Sequence, residues 1–260
     1  MNVLTRFDVA SYFTRHMNTL NRKQRERFER EQRILDAARD IINNEGWEHL
    51  TMERVATAIE YSKGTVYNHF SSKEDVVGAL SCRCMSRMIE MFERAANWQG
   101  NHRERMAAVG LAHALYSLLF PQEVQNMQTI KAPGIRQKIS AEKQNEILQL
   151  EQRITGIVLD IIRDAMRDGD IPPNTQHVPD GIFLGLWSIG YGSQLLHLSD
   201  IPFSRLGLSA PLDMLWINSH KLLDSYNWRP LSSEMDIYAL RDTLQITLFA
   251  DEINQINNNT

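Results

Sequence analysis

The sequence predicts an all-α fold: a small N-terminal unit of three closely spaced helices, one long connecting helix, and a larger helical domain. Three observations lead there. Apolar residues recur every three or four positions along almost the whole chain, no stretch alternates long enough to place a strand, and Pro202, Pro211 and Pro230 fall between helical runs. At 260 residues the chain exceeds the usual size of one domain, so a small domain followed by a larger one is the natural division. No internal repeat is visible.

The elements follow in order. From Arg22 to Glu45, the residues Phe28, Ile34, Leu35, Ala38, Ile41 and Ile42 share one side, and Gly46 ends the helix. Thr51 is a good N-cap for a short second helix carrying Met52, Val55, Ala56 and Ile59 at helical spacing. Ser62 caps a third, expected to end near Phe70. Ser71 to Asp75 then forms a capping arrangement, with acids in the first turn of a long helix reaching about Trp98. Beyond Asn101, helices are expected from Met106 to Phe120, briefly after Pro121, and through Ile147 to Ile161 up to a stop at Asp168–Pro173. Three more follow, at about 179–198, 211–226 and 234–253, and the final NQINNNT reads as a frayed tail. The expected domains are a basic extension over 1–30, a three-helix unit over 31–80 and a helical domain over 81–260. Within the extension, Val3 to Met17 has enough aromatics to pack as a helix. RKQRERFER suits either a solvated helical extension or a flexible basic arm.

Composition narrows the chemistry. Hydrophobic residues make up 43% and charged residues 23%, with a mean hydropathy of −0.36, as in an ordinary globular protein. The most apolar stretch, Ile182 to Leu198, is too short and too interrupted by glycines, Gln194 and His197 to span a bilayer. The N-terminus lacks the uninterrupted apolar core of a secretion signal, so a cytoplasmic location is expected. Cys82 and Cys84 are two apart, a spacing that turns their side chains to different faces of a helix and argues for reduced thiols. No histidine stands at metal-ligand spacing, so neither a metal nor a cofactor is expected.

The net charge of −4 argues against indiscriminate binding to nucleic acid, but it is unevenly spread. Residues 1–33 hold eight Lys and Arg against four acids, and residues 61–73 add Lys63 and Lys73 with no acid at all. A polyanion should be met at this end. A short capped helix, a tight turn and a second short helix form a helix-turn-helix, whose second helix enters the DNA major groove. In YSKGTVYNHF, Val66 and Phe70 can anchor that helix while Thr65, Tyr67, Asn68 and His69 stay outward. Gly64 costs about 1 kcal/mol of helix stability relative to alanine, an expense that close approach to DNA would explain. Thr65 and Lys63 can reach base edges or backbone, and Tyr67, His69 and Lys73 are spaced to touch successive phosphates. For any one of these residues, a surface or capping role is the competing explanation.

Thr51-Met52-Glu53-Arg54-Val55-Ala56, Ser62 through Phe70 and Ser72-Lys73-Glu74 together resemble the signature of TetR-type transcriptional regulators, over roughly Ile34 to Leu80 without a gap. The resemblance implies homodimers of all-helical subunits. Each would have an N-terminal helix-turn-helix DNA-binding domain and a C-terminal ligand-binding and dimerisation domain. It further implies DNA contacts at Thr51, Ser62, Lys63, Gly64, Thr65, Tyr67, Asn68, His69 and Lys73. Two features depart from the pattern: about thirty residues precede the usual first helix, and Asn68 stands where many members carry an aromatic.

The larger domain shows no catalytic motif, neither GxSxG nor a glycine-rich phosphate loop, so no enzyme activity and no catalytic residue is expected. Tyr116, Phe120, Met127, Phe183, Trp187 and Tyr191 could line an apolar pocket for a lipophilic effector, or could be ordinary core. Gly181 to Leu198 and Leu212 to Tyr226 are candidates for a dimer interface, since Gly185, Gly190 and Gly192 allow close helix approach. An intramolecular bundle would have the same pattern. The combined expectation is a repressor released from a palindromic operator by a small effector. The alternative is a helical protein-interaction adaptor, or an enzyme, with a vestigial helix-turn-helix.

Overall fold

A computed structural model describes residues 21–131, 134–173 and 178–259. The expectation of an N-terminal helix over Val3 to Met17 lies outside these. Among the described residues there are eleven α-helices and no strand. None of the helices is long and apolar enough to cross a membrane. Two compact units are present: the described part of Met1–Ser81 together with Ile130–Gln144, and Cys82–Thr129 together with the described part of Asn145–Thr260.

The first unit is built on α1 (Arg22–Glu45), α2 (Met52–Ala58), α3 (Lys63–Tyr67) and the start of α4 (Lys73–Ala96). Asn21 opens α1 with a complete capping box to Gln24. Gly46, at φ 94°, ends it in a conformation that L side chains rarely adopt. The turn from α2 to α3 bends at Glu60, a non-glycine residue at φ 58°, and the Tyr61 N–H closes it on Ala56 O at 3.0 Å. Ile34, Leu35 and Ala38 of α1 are buried, as are Leu50, Val55 and Ile59 around α2 and Val66 and Phe70 around α3. The third helix is shorter than the predicted run to Phe70. The N–H groups of His69 and Phe70 both turn back to Val66 O at 3.0 Å, which closes the end of α3 while seating the Phe70 ring in the core.

One segment joins this unit from far along the chain. Ile130 and Ile139 are buried, and the Ser140 N–H donates to Asp75 Oδ1 at 2.7 Å near the start of α4. The same carboxylate accepts from the Ser71 N–H and hydroxyl, while the Asp75 N–H donates to Ser72 Oγ at 3.1 Å. Burial opposes the charge of Asp75, but the hydrogen bonds from Ser71 and Ser140 outweigh it and hold the carboxyl below its usual range. At Gly78, an added Cβ would come within 3.0 Å of the Lys143 side chain and 3.3 Å of Ile139, so the helix passes close to this segment.

The second unit contains the rest of α4, α5 (His102–Leu119), α6 (Pro121–Thr129), most of α7 (Ala141–Arg167), α8 (Val178–His197), α9 (Pro211–Ser225), α10 (Ile237–Thr247) and α11 (Ala250–Asn259). Gly169 at φ 85° makes the predicted stop after α7. The single helix expected over 234–253 is two. The chain breaks at Leu248 and Phe249, whose N–H groups both fold back to Leu244 O, and the turn places Phe249 in the core under the guanidinium of Arg94. The segment expected to fray is helical through Asn259. Cys82 and Cys84 are free thiols, both buried.

Polar groups are built into this second core. Arg103 is fully buried and donates to Asp224 Oδ1 at 2.7 Å and to His220 O at 2.9 Å, joining the start of α5 to the end of α9. Buried Gln194 donates to Ser117 Oγ at 2.8 Å. The glycines of α8 serve packing within the chain: a Cβ at Gly185 would lie 2.7 Å from Leu222, and one at Gly190 3.0 Å from His113.

Candidate nucleic-acid interface

The surface that could meet DNA is assembled by two N-caps. Thr51 accepts from the Arg54 N–H at 3.2 Å and starts α2, and Ser62 accepts from the Thr65 N–H at 3.1 Å and starts α3. Each satisfies a backbone donor that the helix leaves open. The Ser62 and Thr65 hydroxyls also share a hydrogen bond of 2.8 Å, which holds both side chains together at the start of α3.

Between these caps the exposed side chains are those the sequence singled out. Thr51, Ser62, Lys63, Gly64, Tyr67 and Asn68 are exposed, Thr65, His69 and Lys73 are half-buried, and Val66 is buried behind them. At Gly64 a Cβ would meet nothing closer than Ser62 Oγ at 3.7 Å, and its backbone is not left-handed, so no contact among the described residues calls for glycine there.

Three cations and a ring are set by contacts that sequence reasoning missed. Lys63 Nζ lies 3.8 Å from Glu53 Oε2 on α2, an exposed pairing that a phosphate could displace at little cost. Lys73 Nζ sits 4.3 Å above the indole of Trp47, which fixes the ammonium by cation–π attraction. Arg33 of α1 donates to the Tyr61 hydroxyl at 3.0 Å with its guanidinium over the ring, bracing the turn before α3. Trp47 and Lys73 are far apart in sequence and share no helical period. An isolated aromatic in the turn after Gly46 was the one available signal.

His69 behaves unlike an ordinary surface imidazole. Its Nδ1 is buried without a hydrogen-bond partner. Burial pushes its protonation below the usual histidine range, and the positive charges of Arg27 and Arg30 push it the same way. Both effects disfavour the charged form of the ring.

The residues expected to form an effector pocket are distributed over the second unit. Tyr116 is fully buried, its hydroxyl donating to Glu123 Oε2 at 2.7 Å and to Cys84 O at 3.2 Å, with Phe120 tilted against it at 5.3 Å. Met127 is buried close by in sequence on α6. Phe183 leans on Trp187 at 5.7 Å, but Trp187 is 53% exposed and shares an outer stripe of α8 with Leu184, Tyr191 and Leu195. Trp187 thus stands on an open face of the chain, because the inner face of α8 is taken by the glycines and Gln194. Among the described residues, no group of three or more His, Cys, Asp or Glu side chains is placed to hold a metal ion.

Residues 34–80 match the family model for bacterial regulatory proteins of the tetR family. The chain is 28% identical over 143 residues to the HTH-type transcriptional regulator UidR of Escherichia coli, covering 55% of this chain and 69% of that protein. It is 25% identical over 138 residues to the fatty acid metabolism regulator protein of Bacillus subtilis, covering 53% and 69% respectively. Among solved structures, the regulator PfmR from Thermus thermophilus superposes with a TM-score of 0.57 at 19% identity, over 74% of this chain and 97% of that one.

Proposed function

We propose that the chain, whose residues 34–80 match the tetR-family model, is a DNA-binding transcriptional regulator, and that it is a repressor released from a near-palindromic operator by a small lipophilic effector. The observation that carries the DNA-reading part is the α2–α3 surface. An acid-free run from Tyr61 to Lys73 is presented outward by two side-chain caps, with a glycine at its centre that no contact among the described residues calls for. Thr65 and Lys63 read base edges, Thr51, Ser62, Gly64 and Asn68 line the approach, and Tyr67, His69 and Lys73 hold phosphates.

In this reading two copies act together. The outer stripe of α8, with Leu184 and Trp187 each 53% exposed and Leu195 43% exposed, is the apolar area a homodimer would cover. Two recognition helices then meet major grooves one turn apart, roughly 34 to 36 Å centre to centre. The effector site belongs in the second unit near Tyr116, Phe120, Met127 and Phe183. A lipophilic ligand is supported by the apolar side chains there and by the relative named as a fatty acid metabolism regulator. Its binding biases α4, the helix that begins in the first unit and continues in the second, and repression ends only if the ligand prefers the α4 arrangement that DNA disfavours. The protein works in the cytoplasm, where its operator is.

The test is a salt titration of the intact protein on operator fragments selected from genomic DNA. Affinity should fall steeply with salt; Lys73→Ala should weaken all sequences alike, by about tenfold, while Lys63→Ala or Thr65→Ala should change which sequence is preferred. An absence of sequence-selective binding at low salt, with or without candidate ligands, would sink the reading.

A further inference from the structure

The first twelve residues of α1, Arg22–Arg33, precede its first fully buried side chain. In α1 the first buried residue is Ile34, so Arg22–Arg33, about 18 Å of helix, runs ahead of the core without burying a residue. Helices of that length gain little from propensity alone and are normally held by an apolar face. Here the extension is capped at Asn21 by a full capping box and carries an Arg22–Glu26 ion pair of 2.9 Å. It is also braced at its inner end by Arg33 on Tyr61. These local interactions support the helix ahead of the core, where Phe28, Arg30, Glu31 and Gln32 are half-buried.

Its charges are sorted by face. Lys23, Arg27 and Arg30 precede Ile34 by eleven, seven and four residues, spacings that return to the same side of a helix, so these cations continue the stripe that is buried from Ile34 onward. Glu31 falls on that side too and Glu26 borders it, leaving three cations against two carboxylates, whereas Arg25 and Glu29 point away. Past the end of α3, Arg27 and Arg30 are close enough to His69 to disfavour its protonation. The Arg30 Nε donates to Glu26 O at 3.1 Å, which fixes one edge of the guanidinium. A phosphate held at the α3 end of the surface would find the His69 imidazole with two guanidinium groups beside it.

We propose that the Arg22–Arg33 extension of α1 is a second phosphate-gripping element, in which Arg27 and Arg30, with Lys23 beyond them, hold the DNA backbone alongside the end of the recognition helix. The inference rests on the DNA-binding reading above and adds to it a contact surface outside the 34–80 region that matches the family. It also gives the uneven basic charge of the N-terminus a position. The cations of one face meet DNA while Arg25, on the other, remains in solvent.

The experiment uses the full chain and the selected operator, measuring affinity against salt for wild type, Arg27→Ala/Arg30→Ala, Arg27→Lys/Arg30→Lys, Arg25→Ala and Lys73→Ala. Each phosphate contact contributes about 0.9 to the slope of log K against log salt, so losing two cations from each of two protomers should lower the slope by about 3 to 4. Affinity of that double variant should fall at least tenfold on operator and unrelated DNA alike, with the lysine pair retaining most of the slope and Arg25→Ala retaining all of it. Alanine favours helix at least as well as arginine, and circular dichroism would verify that α1 persists. A wild-type slope in the double alanine variant, together with a reduced one in Lys73→Ala, would overturn this inference and leave the DNA-binding reading standing. An equal loss from Arg25→Ala would overturn it as well, because the charge would then act without regard to face. Absence of selective binding by wild type would strike the reading instead.

Discussion

The two units use polar side chains in opposite ways. In the first they cap and brace, leaving charge on the outside: Thr51 and Ser62 each satisfy a helix N-terminus, Trp47 holds the Lys73 ammonium, and the core behind is almost wholly aliphatic. In the second they are drawn inward, with Arg103 fully buried on Asp224 and His220, Gln194 on Ser117, and Tyr116 on Glu123. A surface that must present one constellation to a repetitive polymer benefits from local fixing. A core that needs a unique arrangement of eight helices can instead be specified by a few long-range polar contacts, which penalise any packing that leaves them unpaired.

The sharpest way to break this contrast is at Arg103. Replacement by Ala should cost about 3 to 5 kcal/mol, because Asp224 and two backbone carbonyls lose a buried charged donor, and chemical denaturation would show it. Operator contacts in variants that remain folded at low temperature should be unaltered. A loss under about 1 kcal/mol would mean that the second unit does not depend on its buried ion pair.

The next effect is a dependence on pH. His220 is buried with neither ring nitrogen hydrogen-bonded; burial first, and then the Arg103 charge, push its pKa down to about 4. An unfolded histidine binds its proton near 6.5, so between about pH 6.5 and 4 the unfolded chain holds a proton that the folded one refuses. Stability should therefore fall as pH drops through that window, by up to about 3 kcal/mol from this residue. In His220→Leu the fall should be visibly shallower, and an unchanged profile would remove His220 from the account.

Smaller changes probe the first unit. Thr51→Ala removes a cap and should cost about 1 kcal/mol in thermal or chemical unfolding, with Thr51→Ser restoring most of it. Gly64→Ala should do the reverse, gaining up to about 1 kcal/mol of stability because the methyl meets nothing closer than 3.7 Å, while weakening operator binding at least tenfold. A variant both more stable and fully DNA-competent would deny Gly64 its role as the point of close approach.

The same contrast explains what could be read in advance. Caps, turn and apolar spacing of the helix-turn-helix are local, so α1, α2 and the α3 start at Ser62 were legible from neighbouring letters, as was the stop at Gly169. Lys63, Tyr67 and Asn68 could be placed outward because Val66 and Phe70 had to point in. Contacts between residues distant in sequence carry no period: Lys73 with Trp47, Arg103 with Asp224, and Asp75 with Ser140 were invisible. The break between α10 and α11 was missed because Phe249 reads as one more helical apolar residue until the core that receives it is known. Trp187 lies on the outer face of α8, which hydrophobicity alone does not distinguish from the inner one.

The hydrogen bond from Ser140 to Asp75 bears on how the protein is made. The first unit contains Ile130–Gln144, so its core lacks Ile130 and Ile139 until those residues have been synthesised. On a ribosome moving from the N-terminus, α1, α2 and α3 can form early, but the closing contacts wait for about sixty more residues of α4, α5 and α6 to emerge. During that interval α3 is complete on an unfinished scaffold, and the unit that carries it is closed only after Ile130–Gln144 has been translated.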